Sequence, residues 1–133
     1  MVIKDYFKYL LFLFLFLVFS KNTFSQKEII VKQIDFRLDV ISGNDYENEY
    51  FLTLKFTKGI KYVFKIQNHI EDFAGEAVIQ ILDADNLVLT NLMSDKYFEQ
   101  FAFLCNKTGF YDILVKYRDN KVGHSKVDIY MIQ

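Results

Sequence analysis

Beyond residue 25, apolar residues recur at every second position. This period of two constrains the fold more than any other feature of the chain. In Gln33–Val40, the side chains of Ile34, Phe36, Leu38 and Val40 share one face, while Gln33, Asp35, Arg37 and Asp39 share the other. Such a pattern describes a strand with one face in a core and a charged face in water. Tyr50, Leu52, Leu54 and Phe56 repeat it, as do Ile60, Tyr62, Phe64 and Ile66 after Thr57-Lys58-Gly59, so these two runs read as a hairpin. Further strands are predicted over Glu76–Asp83, Leu87–Met93, Phe98–Cys105, Phe110–Tyr117 and Ser125–Ile132.

Turn formers separate the runs: Ser42-Gly43-Asn44-Asp45, Asp83-Ala84-Asp85-Asn86, Lys107-Thr108-Gly109, and Arg118 through Gly123. Every glycine falls in or beside such a segment, where a positive φ can be needed. No stretch carries a 3.6-residue period, so helical crossovers between parallel strands are missing. The expectation is an all-β, antiparallel β-sandwich of about eight strands, Greek-key or jelly-roll-like. Alternation fixes which face of a strand is buried and leaves the strand order open.

Residues 1–25 differ in kind. Lys4 and Lys8 precede an unbroken apolar run, Leu10–Phe19, and Thr23-Phe24-Ser25 puts small residues at −3 and −1 of a cut before Gln26. This is the layout of a cleavable signal peptide. A membrane-spanning helix needs about 20 apolar residues, and this run ends at Ser20 and Lys21. The chain is therefore divided into a signal peptide, 1–25, and a single domain, 26–133, secreted, periplasmic or at the cell surface. Membrane contact is expected only through an uncleaved signal segment.

The mature part would carry 13 basic and 16 acidic residues, interspersed. Nucleic acid requires a concentrated basic face, so it is excluded as a partner class. A lone cysteine, Cys105, admits no internal disulfide, so the domain must be held by its core.

Several residues invite a chemical reading. Asp45, Glu47 and Glu49 in the long first connection, and Asp83, Asp85 and Asn86 in a tighter one, offer the hard oxygen ligands that suit calcium. Asp and Asn also stabilise turns through their own backbone, which favours a hairpin turn for the second group. His69, His124, Cys105, Met93 and Met131 contain the ligand types of a copper site, but not the close loop spacing of one. Cys105 follows Phe101 and Phe103 on one face of its run, a core position, and no nucleophile signature surrounds it. Asn106-Lys107-Thr108 matches the N-glycosylation sequon. Tyr46, Tyr50, Phe73 and Tyr97 lie in or beside connections, where aromatics stack on sugars, anchor interfaces or cap a core. Gly109 and Tyr111, in Gly109-Phe110-Tyr111-Asp112-Ile113, have the pattern of a tyrosine corner, a structural role.

The stretch Phe101–Tyr117 (FAFLCNKTGFYDILVKY), with Tyr62–Ile66 (YVFKI) upstream, resembles the closing half of the GOLD domain and of the bacterial pre-peptidase C-terminal domain. That resemblance implies a small exported sandwich with a non-enzymatic binding or accessory role, and it transfers no residue-level function. The functional expectation is an exported, non-catalytic module that binds a protein or cell-surface component, without a cofactor. The alternative is a small-ligand, calcium or carbohydrate binder using Ser42–Glu49 and Asn68–Gly75.

Overall fold

Residues 26–133 are the ones described by the computed structural model, so the signal peptide read over 1–25 lies outside the described residues. Ten strands follow in order: β1 (Glu28–Leu38), β2 (Tyr50–Phe56), β3 (Lys61–Gln67), β4 (Ala77–Asp83), β5 (Asn86–Thr90), β6 (Leu92–Met93), β7 (Lys96–Tyr97), β8 (Gln100–Leu104), β9 (Gly109–Tyr117) and β10 (Gly123–Ile132). Eight of them make two antiparallel sheets, ordered β1-β10-β3-β8 and β2-β9-β4-β5, while β6 and β7 pair in a small ribbon. The two sheets pack as the all-β sandwich that the alternation predicts.

The period of two sorts the side chains. Ile34, Phe36 and Leu38 of β1, Tyr62, Phe64 and Ile66 of β3, Phe103 of β8, and Val127 and Ile129 of β10 are buried on one sheet. They meet Phe56, Ala77, Ile79, Ile81, Tyr111, Ile113, Val115 and Tyr117 from the other. Burying each large apolar side chain contributes about 1.5–3 kcal/mol. The core thus holds a chain whose one thiol, Cys105, is free and buried.

Four features differ from the expectations of the sequence. First, β2 and β3 are not a hairpin. β2 pairs with β9 in one sheet, and β3 with β10 and β8 in the other. The Thr57–Ile60 corner carries the chain between sheets, because the inward faces of β2 and β3 are both buried when they face one another across the core. Among the eight main strands, β4–β5 is the hairpin; each other connection crosses the sandwich. Second, β1 begins at Glu28 and stops at Leu38, leaving Val40 75% exposed. The added residues Ile29, Ile30 and Val31 lie on an open edge. There Lys27, Lys32 and a bulge between Ile30 and Lys32 protect the edge from further pairing.

Third, the Leu87–Met93 run breaks at Asn91, which is fully buried, and the chain turns there into the β6–β7 ribbon. Fourth, of the glycines only Gly59 has a positive φ, 86°. The left-handed positions fall mainly to Asp, Asn, Ser and His instead, whose short polar side chains tolerate them. Two glycines serve close approach: a Cβ at Gly123 would lie 2.2 Å from the Tyr117 ring, and one at Gly75 2.6 Å from the Val122 carbonyl oxygen. At Gly109, which opens β9, a Cβ would meet nothing within 4 Å.

Candidate functional site

Strand direction gives the sandwich two unlike ends. At one, the short-turn end, lie Thr57–Ile60, the β4–β5 turn and the connection from Cys105 to Thr108. At the other lie the long connections 39–49, 68–76, 91–99 and 118–122. Seven of the non-glycine residues with positive φ are at this long-loop end: His69, Glu71, Asp72, Ser94, Asp95, Asp119 and Asn120. Backbone of this kind persists only where the surroundings enforce it, and it collects at sites of recognition.

What enforces it is a buried polar framework. The Asn91 carboxamide accepts from the Ile79 N–H at 2.7 Å and donates to the Ala77 and Phe98 carbonyl oxygens, both at 3.0 Å. Asn68 accepts from the Ala77 N–H (3.0 Å) and the Ser125 hydroxyl (2.7 Å), and donates to the Tyr97 hydroxyl oxygen at 2.8 Å. The Tyr97 hydroxyl donates in turn to the Ala77 carbonyl oxygen at 2.6 Å. Withdrawal from water pushes the Tyr97 phenol up to about 12. Tyr117 stacks on Phe36 at 5.0 Å and donates to the Phe36 carbonyl oxygen. Burial raises its phenol to about 12 as well. These bonds tie β1, β4, β7, β9, β10 and the residue that follows β3 together just beneath the loops.

Above this framework, a groove of about 610 Å³ opens on the outer side of the β2-β9-β4-β5 sheet. Leu38, Ile41, Val78, Leu87 and Leu92 supply its aliphatic lining. Asp45, Glu49, Asp95 and Asp119 face Lys116, Arg118 and Lys121 around it. The volume lies within the range of ligand pockets, but the mixed charge differs from the mostly apolar lining of small-molecule sites. Phe51, Phe110, Leu87 and Val88 extend exposed apolar surface down the same sheet.

The candidate residues are distributed unevenly over this geometry. Asp45 and Glu49 line the groove; Glu47 turns away into its own loop, accepting from the Ser42 hydroxyl and, at 3.5 Å, from the Asn44 amide. Asn48 closes the same loop through Ser42, to which it donates at 2.9 Å and from which it accepts at 2.7 Å. Tyr46 is 72% exposed at the tip. Tyr50 packs on Phe36 with ring centres 6.0 Å apart, and Tyr97 belongs to the buried framework. Phe73 lies edge-on to His124 and beneath the Arg37 guanidinium, 5.4 Å from ring centre to carbon. Asp83 and Asn86 pair at the end of the β4–β5 hairpin, where Ala84 and Asp85 have φ of 47° and 69°, as a tight primed turn requires. Among the described residues, no group of three His, Cys, Asp or Glu side chains is placed to hold a metal ion.

Cys105 belongs to the other end. It is sealed under Tyr111, whose hydroxyl donates to the Lys107 carbonyl oxygen across the β8–β9 connection. His124 is at the opposite end of the sandwich from it, so the two cannot form a common centre. Sequence reasoning missed Asn91 and Tyr117, and it named His124 only among copper-type ligands and Asn68 only as the start of a candidate loop. For Asn91 a signal existed: one amide side chain inside the apolar run Leu87-Val88-Leu89-Thr90-Asn91-Leu92-Met93.

No family model and no curated protein match the chain. Among solved structures it is similar to PliG from Aeromonas hydrophila, a periplasmic inhibitor of g-type lysozyme. The identity is 16% and the TM-score 0.46, over 81% of this chain and 86% of that one.

Proposed function

We propose that this protein is an exported, non-catalytic binding module that takes a protein partner in the groove at its long-loop end. The observation that carries the reading is the groove itself: three connections, anchored by a buried hydrogen-bond framework, surround an apolar floor with charges of both signs. Alternating Asp, Glu, Lys and Arg suit a polypeptide surface, which offers both signs, better than a single small ion or an uncharged sugar. Tyr46, exposed at the tip of a loop whose neighbours line the groove, adds a rigid aromatic anchor of the type enriched at interfaces. Export is supported by the signal-like composition of residues 1–25, and a non-enzymatic role by the burial of the one thiol far from either histidine of the long-loop end.

Thermal melting with calcium, zinc, copper and a panel of glycans tests this against the small-ligand alternative. A ligand at 100 times its dissociation constant stabilises by about 2.7 kcal/mol, which raises the melting temperature of a domain this size by about 10 °C. The proposal predicts a flat panel over a cooperative transition. A clear shift with any member that is abolished by Asp45→Ala with Glu49→Ala would replace the protein partner by that ligand.

A further inference from the structure

His124 stands at the start of β10, on the outer face of the β1-β10-β3-β8 sheet and away from the groove. Its side chain is only 10% exposed. Nε2 lies 2.7 Å from the Asp35 Oδ1 of β1. Nδ1 is buried without a hydrogen-bond partner, 3.9 Å from Glu71 Oε1. Glu71 belongs to the short 3-10 turn Ile70–Asp72; Glu71, Asp72 and the preceding His69 are all left-handed, with φ of 55°, 62° and 59°.

The groups facing the imidazole can be named element by element. β1 brings Asp35 and Arg37, the latter directly opposite His124 in register. Arg37 is 2.9 Å from Asp39 and 3.1 Å from Glu71 Oε2, so the far carboxylate oxygen of Glu71 is already occupied. The 3-10 turn brings Glu71, and Phe73 beyond it closes the ring edge-on with centres 6.3 Å apart. Lys126 of β10 sits opposite Asp35. His69, in the same connection, is exposed and its Nδ1 lies 2.9 Å from the Phe73 carbonyl oxygen.

In the neutral ring the single N–H donates from Nε2 to Asp35, which leaves the Nδ1 lone pair directed at a carboxylate. Nδ1 is shut off from water beside the half-exposed Glu71 carboxylate, and a buried acceptor without a donor costs free energy. Adding one proton at Nδ1 converts the pair into a charge-assisted donor and acceptor. We propose that His124 is a proton-operated latch: protonated, it joins Asp35 of the sheet to Glu71 of the strained turn; deprotonated, it frees the Ile70–Asp72 turn on that side. The sign follows from the chemistry. The latch is closed while the ring holds its second proton and open once that proton is lost. Arg37 continues to hold the other oxygen of Glu71, so the turn loosens without detaching. This inference is independent of what the groove binds.

Amide hydrogen exchange of the intact protein at pH 5 and pH 8, corrected for the intrinsic pH dependence of exchange, tests it. The reporters are the Asp72 and Phe73 N–H groups, which bond the His69 and Ile70 carbonyl oxygens within the connection. Their protection should fall by about tenfold between the two values, because a charge-assisted bond is gained or lost. Glu71→Gln should abolish that pH dependence while His69→Gln preserves it. Protection that does not change with pH, a dependence that survives Glu71→Gln, or one that vanishes with His69→Gln would each overturn the latch. In the unsubstituted protein, 15N shifts of the His124 ring give a second reading. Protonation at Nδ1 in step with the change in protection supports the proposal, and a ring that stays neutral at pH 5 defeats it.

Discussion

The short-turn end and the long-loop end of this sandwich close the same alternating strands by different means. At the short-turn end, an aromatic cluster fills the space between the sheets: Phe56 lies 4.3 Å from Tyr62, 5.6 Å from Phe103 and 5.6 Å from Tyr111, ring centre to ring centre. The connections above it are brief and bonded to each other. The Gly59 N–H donates to the Cys105 carbonyl oxygen at 2.8 Å, and the Lys58 N–H to the Thr108 hydroxyl at 2.8 Å. At the long-loop end, amides and phenols add a hydrogen-bonded framework to the smaller Phe36, Tyr50 and Tyr117 cluster, and the loops stand in left-handed backbone over a groove. Apolar packing is non-directional and tolerates many outlines, whereas a hydrogen-bonded framework fixes particular backbone groups in particular places. One end is thus organised to hold the sheets together, and the other to hold loops in a set arrangement.

Substitutions can break this contrast, starting with the largest expected effect. Phe56→Ala removes a fully buried ring from the middle of the aromatic cluster and should cost about 4 kcal/mol in urea unfolding. Asn91→Leu leaves the Ile79 N–H and the Ala77 and Phe98 carbonyl oxygens short of their partner. A loss of about 3 kcal/mol is expected, by the same measurement. If Asn91→Leu were neutral, the framework would be dispensable and the contrast between the ends would fail. Gly123→Ala drives a methyl into the Tyr117 ring and should cost about 2 kcal/mol, whereas Gly109→Ala, with open space around it, should change stability by less than about 0.5 kcal/mol.

Alkali sharpens the comparison without mutation. Tyr97 and Tyr117, both at the long-loop end, have phenols raised by burial to about 12 in the folded protein, against about 10 for a free tyrosine. Their contribution to stability is complete below pH 10 and is lost as pH climbs toward 12. A tyrosinate absorbance titration should show three phenols resisting ionisation until the protein unfolds: these two and Tyr111 of the short-turn end, which burial also raises to about 12. Tyr46→Ala, finally, should leave stability within about 0.5 kcal/mol, since the ring is exposed, and act on partner affinity alone.

The same division decides what could be read from the sequence. Period two located most of the strands and their inward faces, because burial of one face is written in the spacing of residues such as Ile34, Phe36 and Leu38. It could not show that Thr57–Ile60 crosses the sandwich, since a hairpin and a corner leave the same alternation on either side. Nor could it expose the long-loop end. Asn68 comes from one connection and Asn91 and Tyr97 from another, and they meet only after folding. The glycines misled for a related reason: Gly75 and Gly123 are small because Tyr117 lies against them, a contact between distant parts of the chain. Of the candidate site residues, Asp45 and Glu49 line the groove, while Tyr50, Phe73 and Tyr97 are taken up in packing or hydrogen bonding.

The claim that the long-loop end is the binding end is tested most directly by site-specific photo-crosslinking in the native host. The probe is placed at Lys116, in the groove, or at Asp85, in the β4–β5 turn of the short-turn end. The account predicts one discrete protein adduct from Lys116, suppressed by excess unlabelled protein, and none from Asp85. Adducts formed equally from both positions, from Asp85 alone, or from neither, would contradict it.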